Sequence, residues 1–563
     1  MHDLVIRDGT VVDGTGEPTR HADVAVDDGI ITEVGEDLGA ATREIDADGR
    51  VVAPGWVDVH THYDGQVTWD PEMAPSSWHG VTSVVMGNCG VGFAPVRPDG
   101  QDFLVELMEA VEDIPGTALH EGIDWNWESF GEYLDALETM PRTIDVAAQM
   151  PHVALRAYVM GERAHDEPNA DELAEMSRLT KQAIADGAIG FSTSRTILHK
   201  SKHGLIPGTH SAPDELIAIA TGMAEAGKGI FQFVSDSMGS TDEERAWVRE
   251  IAAFSGLTVT YSLAQTPFAP AAFRAALDDA QALGRNGVTV VPQVPARPTG
   301  MLFGLQSSFN PFMGYPSYRE LWSVSLAERV AKLRDPEFRA QILAEEFQSH
   351  DRTAHFLAKN WAQMFRLGDP PDYEPAPETS VASTAQREGR RPEEVVLDWL
   401  LEDDGKALLF APLGSYVDHD HEAIREMISH PSSAIGLSDG GAHCGLICDA
   451  SFPSYLLTHW VRDRTRGERL PLELVVHKQT QATARAYGMT DRGVIAEGKK
   501  ADLNVIDLDA MHLHAPDMVF DLPAGGRRLV QRVDGYVATV QTGEVTFENG
   551  EPTGARPGRV VRA

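Results

Sequence analysis

Cysteine is scarce in this chain: Cys89, Cys444 and Cys448 are the only three in 563 residues. So few thiols cannot build a disulfide framework, so each is a buried thiol, a ligand or a reactive group. Basic side chains are also under-represented, with 47 Lys and Arg against 85 Asp and Glu and a net charge of −38. A polyanion needs a basic footprint, so neither nucleic acid nor an anionic membrane surface is an expected partner. No apolar run is long enough to span a bilayer. The first residues, Met-His-Asp-Leu-Val-Ile, lack a basic segment followed by an apolar one, so no signal peptide is visible and the cytoplasm is the expected location. There is no internal repeat and no low-complexity segment.

What is present is an ordinary globular balance of 42% hydrophobic and 23% charged residues, enough to bury a large core. Residues 3–12 hold two β-rich runs joined by Asp8-Gly9, which reads as a hairpin. Short strands are expected at Ala22–Val26, Ile30–Val34 and Arg50–Ala53. From Gly55 the pattern changes to apolar runs alternating with helical stretches such as Ala170–Asp186 and Asp214–Ala226. The runs are Trp56–Val59, Ser83–Met86, Asp145–Gln149, Ala188–Ser192, Gly229–Val234, Leu257–Ser262, Val288–Val291 and Ser433–Leu437, with Ala407–Ala411 competing for a place. Continuous apolar strands between helices indicate a parallel sheet, and eight of them suit an α/β fold of the (β/α)₈ barrel type. Residues 300–400, with aromatics, Pro370-Pro371 and helical runs, read as an insertion after the seventh strand, a lid or subdomain. The chain end is β-rich again. The expected division is a composite β-sandwich from 1–54 plus 497–563 around a barrel at 55–496.

Three segments carry chemistry. In Pro54-Gly55-Trp56-Val57-Asp58-Val59-His60-Thr61-His62, residues i and i+2 of a strand share a face, so two imidazoles can chelate one metal ion at a barrel strand's C-terminal end. Cys89 ends the next strand inside Gly87-Asn88-Cys89-Gly90; alone it reads either as an inert buried thiol, the commoner fate, or as a soft anionic ligand. Asp439, in Ser438-Asp439-Gly440-Gly441, follows the last strand and either binds metal and takes a proton from water or simply makes an Asx turn.

Together these segments resemble the amidohydrolase superfamily, in its D-aminoacylase (N-acyl-D-amino-acid deacylase) branch. Gly190-Phe191-Ser192-Thr193 and the closing Asp491-Arg492-Gly493-Val494-Ile495 run look alike too. The resemblance implies a (β/α)₈ barrel with a composite β-sandwich, metal ligation by His60, His62 and Asp439, and Cys89 as the cysteine ligand. It also marks departures: the histidines of strands five and six are replaced by sequences around Gln232 and Thr260, and a lysine by Gln265. One divalent metal, zinc by preference, is therefore expected. His443, four residues after Asp439, is a candidate to orient water or protonate a leaving group, or else a surface-turn histidine. His152 matches a family histidine and is expected to line the site. Arg195, in a basic cluster with His199, Lys200, Lys202 and His203, and Arg297 are candidates to receive a substrate carboxylate. The expected activity is metal-assisted hydrolysis of an N-acyl amino acid or similar small amide. A cyclic amide or lactone hydrolase and a catalytically silent scaffold are the rivals. The expected partners are a small-molecule substrate and further copies of the chain.

Overall fold

A computed structural model describes residues 1–236 and 241–563. Eight parallel strands form the central sheet: β1 (Trp56–Asp58), β2 (Val81–Met86), β3 (Asp145–Pro151), β4 (Gly190–Ser194), β5 (Ile230–Val234), β6 (Thr258–Ser262), β7 (Val290–Val294) and β8 (Ala434–Ile435). They pair in sequential order from β1 to β8. Just past β1 and β8, Thr61 bridges Gly440, and Asp439 N–H donates to the His60 carbonyl, so the ends of the sheet meet and the barrel closes. Residues such as Val84, Ala147, Phe231 and Val259 are fully buried, as strands covered on both faces require. Each of the eight expected strands thus becomes a barrel strand.

A nine-stranded sheet is built from both chain ends. Leu503–Ile506 pairs with Val51–Pro54 on one side and Tyr536–Gln541 on the other. Its core holds Leu4, Ile6, Val24, Val505 and Val540. The expected hairpin at Asp8-Gly9 does not form. His2–Val11 is one strand in which two residues oppose Asp23, with Asp8 at φ 53°, which is a β-bulge. The strand is paired on both edges, with Arg20–Asp27 and with Ala41–Asp46, and those ladders outweigh the local turn preference. The last residues return to the barrel instead of staying in this sheet, where Val560 bridges Val146.

The segment after β7 has a hydrophobic core of its own, from Phe303 to Ala411, including Phe312, Leu333, Ile342 and Leu400. Leu409–Pro412 lies there, antiparallel to Gly300–Phe303 and Phe365–Arg366, so the run at 407–411 is not a barrel strand. Among the described residues no helix is long and apolar enough to cross a membrane.

Candidate metal centre

The barrel's closure point places the first two ligands. His60 and His62 leave β1 at its C-terminal end, both about 1% exposed. The His60 Nδ1 proton is donated to Gln293 Oε1 at 2.7 Å, and Gln293 Nε2 in turn donates to the Tyr487 hydroxyl at 3.0 Å. This fixes the tautomer and leaves His60 Nε2 unprotonated and able to ligate a cation. Cys89 Sγ lies 3.4 Å from that nitrogen and 3.7 Å from His62 Nε2. Asp439 Oδ1 lies 3.4 Å from His60 Nε2 and 3.8 Å from His62 Nε2. Ligands about 2.0–2.3 Å from one zinc ion stand about 3.3–3.8 Å apart when tetrahedral. The His60, His62 and Cys89 donors fit a shared cation, and Asp439 adds an oxygen to the same imidazoles.

Local backbone explains how Cys89 gets there. Gly87 and Gly90 have φ of 78° and 74°, and Cys89 itself 58°. A Cβ at Gly87 would sit 2.3 Å from the Gln149 carbonyl oxygen, so only glycine fits. Asn88 pins the turn by donating to the Thr61 and Val85 carbonyls and accepting from Gln149 Nε2. Leu437, Asp439 and His443 also hold left-handed backbone, at φ 62°, 49° and 51°. Such strain in non-glycine residues gathers at functional sites.

Charge supports the fit. Burial pushes the Cys89 thiol well up, and the carboxylates Glu112, Asp439 and Asp64 add to it. A cation between the imidazoles is the charge that reverses this, because the thiolate is the ligand. Burial would raise Asp439, but His62, His60 and His443 outweigh it and hold the carboxyl far below its ordinary range. Burial lowers His62 to about 4, so its imidazole is neutral, as a ligand must be.

His443 Nε2 stands 4.0 Å from Asp439 Oδ2. Two neighbours, Glu112 and Gln293, had no sequence signal, and a third, His199, stood out in the sequence only as part of the basic cluster. Glu112, the last residue of the helix Gln101–Glu112, is buried against His62 and His443. Gln293 orients His60. His199 comes from the loop after β4; burial, then His443 and His62, lower it to about 3. Gln232, on β5, whose sequence holds no histidine, is fully buried with neither amide atom partnered.

Other expected residues lie elsewhere in the network. Both His152 ring nitrogens are taken, by Thr193 and by Glu215 at 2.9 Å, so it braces the framework instead of offering a substrate contact. Arg297 is a correction as well. It is 1% exposed, donates through Nε and Nη2 to Asp449 and the Cys448 carbonyl, and stacks 3.7 Å over Tyr373, so with only Nη1 unpartnered its charge is largely engaged inside the protein. Arg195 donates to the Ser211 carbonyl and lies over Trp247, with Nε unpartnered. Lys202 and His203 pair with Glu106. Cys444 and Cys448 are buried free thiols. A second group, Glu374, His421 and His459, has similar spacing, but Arg464 grips both Glu374 oxygens and neutralises it.

Residues 43–547 match the amidohydrolase family model. The chain belongs to the amidohydrolase family. It is 27% identical to the D-aminoacylase of Alcaligenes xylosoxydans xylosoxydans, covering 99% of this amidohydrolase and 97% of that protein. It is 28% identical to the N-acyl-D-glutamate deacylase of the same organism, covering 100% and 96%. Its fold is shared with the solved N-acyl-D-glutamate deacylase of Bordetella bronchiseptica, a complex with zinc and a phosphonate mimic of the tetrahedral intermediate. That match has a TM-score of 0.66 at 24% identity and covers 100% of both chains. The amidohydrolase is thus a hydrolase of carbon–nitrogen bonds other than peptide bonds, on a barrel with an attached β-rich domain.

Proposed function

We propose that this amidohydrolase cleaves the amide bond of an N-acyl-D-amino acid with one divalent cation, zinc, held by His60, His62, Cys89 and Asp439. The observation that carries the reading is that His60, His62 and Cys89 turn buried donors from β1 and β2 to one point, with an Asp439 oxygen from the end of β8 at 3.4 and 3.8 Å from the same two imidazoles. The full-length likeness to deacylases of N-acyl-D-amino acids supports the substrate class. When bound, the cation supplies positive charge that polarises a carbonyl and makes water more acidic. Asp439 takes the proton of the attacking water and passes it to the leaving nitrogen. His443, beside Asp439 Oδ2, is placed to stabilise the negative oxygen that forms. Arg195, with Nε free, remains the basic candidate for a substrate carboxylate. Three unpaired buried cysteines support a reducing compartment, the cytoplasm, and self-association of the chain is part of the same proposal.

The test is metal content by mass spectrometry of protein purified without chelator, beside turnover of N-acetyl-D- and L-amino acids. About one zinc per chain is expected, lost in His60→Ala, with the D series preferred. No metal and no turnover on adding metals would sink the proposal. Turnover confined to cyclic amides would sink the substrate class alone.

A further inference from the structure

Glu112 has a position that packing does not explain. It is 1% exposed, and neither carboxylate oxygen has a hydrogen-bond partner. Among the described residues no lysine or arginine pairs with it within 4.0 Å; its ion-pair neighbours are two imidazoles. Oε1 lies 3.5 Å from His62 Nδ1, and Oε2 lies 3.5 Å from His443 Nε2. His62 Nδ1 is itself a buried atom without a partner. A buried carboxylate with no partner is costly, and these contacts are only a few tenths of an ångström beyond hydrogen-bond length. The orphaned atoms are therefore each other's available partners.

The ring geometry gives the direction. His62 turns Nε2 to Cys89 and Asp439, so its proton sits on Nδ1, which points at Glu112. Glu112 thus meets the ring nitrogen of His62 that does not face Cys89 and Asp439. His443 is held to the same place by its backbone N–H, which donates to the Glu112 carbonyl, and its side chain approaches the Glu112 carboxylate to 3.5 Å.

We propose that Glu112 is a positioning residue of the metal centre: its carboxylate accepts from His62 Nδ1 on one oxygen and from His443 on the other, tying a metal ligand to the group beside Asp439. This rests on the hydrolase reading above. A carboxylate behind a ligating histidine makes it a better ligand and fixes its plane, and removing such a partner typically costs 10–100-fold in metal affinity.

The test uses the full chain and Glu112→Gln, which keeps the shape and removes the charge. Zinc affinity is measured by competition with a chromophoric chelator, the visible spectrum is recorded with cobalt in place of zinc, and the metal-free melting temperature is recorded. We expect the variant to bind zinc about 10–100-fold more weakly, to shift the cobalt bands, and to keep or raise its metal-free melting temperature. Unchanged affinity and an unchanged spectrum would overturn the proposal while leaving the hydrolase reading intact. A wild-type chain that binds neither metal would overturn both. Equal loss of metal-free stability and affinity would mean a packing role and overturn it too.

Discussion

Asp439 presents its two oxygens to two different sets of neighbours. Oδ1 faces the His60 and His62 Nε2 atoms, and Oδ2 faces His443. Asp439→Asn keeps the shape and the left-handed backbone, which asparagine tolerates, but cannot accept a proton. Its kcat is expected to fall about 10²–10⁴-fold, the usual contribution of a placed acid–base group, with the melting temperature nearly unchanged. Steady-state kinetics with metal in excess checks this, and near-normal turnover would remove Asp439 from the proton path. His60, His62 and Asp439 were legible because a strand's period of two and a turn after an apolar run are local features. Arg297 was misread because its partner Asp449 is brought to it only by the fold.

At the scale of elements, β3 is held to the segment that leads into the β-rich domain. Asp145, 2% exposed at the start of β3, accepts from Arg492 and from Lys500, both at 2.6 Å. Burial pushes its carboxyl up, but Lys500 and Arg492 outweigh this and hold it below the ordinary range. Asp145→Asn takes one anion from buried Arg492 and half-buried Lys500, which keep Asp491 and Asp502, so the cost is expected to fall below the range of about 3–5 kcal/mol for a fully orphaned buried charge. Because the folded pKa is depressed, this stabilisation is complete above the unfolded value of about 3.9 and is lost as pH falls through the folded value. Urea midpoints should therefore differ equally between wild type and variant at pH 7 and 5, and converge only below about pH 4. A gap that closed between pH 7 and 5 would refute the assignment. The strand itself was visible as an apolar run; its ion pairs were not, since they join residues distant in sequence.

For the whole molecule the dominant fact is the charge of −38. Like charges on one surface repel and destabilise the compact state, and salt screens them over about 10 Å at 0.1 M. The melting temperature is expected to rise as NaCl goes from about 0.01 to 0.15 M, over which the screening length falls from about 30 to 8 Å. A flat response would mean that pairs such as Arg274 with Glu426 already neutralise the surface locally.

The sequence by itself determined the eight barrel strands, the β-rich ends and the His-X-His pair, because each rests on periodicity and turn chemistry within a few residues. Tertiary structure alone decided that Asp8-Gly9 is a bulge, that residues 407–411 belong to the insertion, that His152 and Arg297 are framework, and that Glu112 and Gln293 stand beside the two histidines. Each of these depends on which distant group meets the residue. Pairing on both edges of a strand, or one buried carboxylate beside an imidazole, outweighs the weak local preferences that the chain shows when read alone.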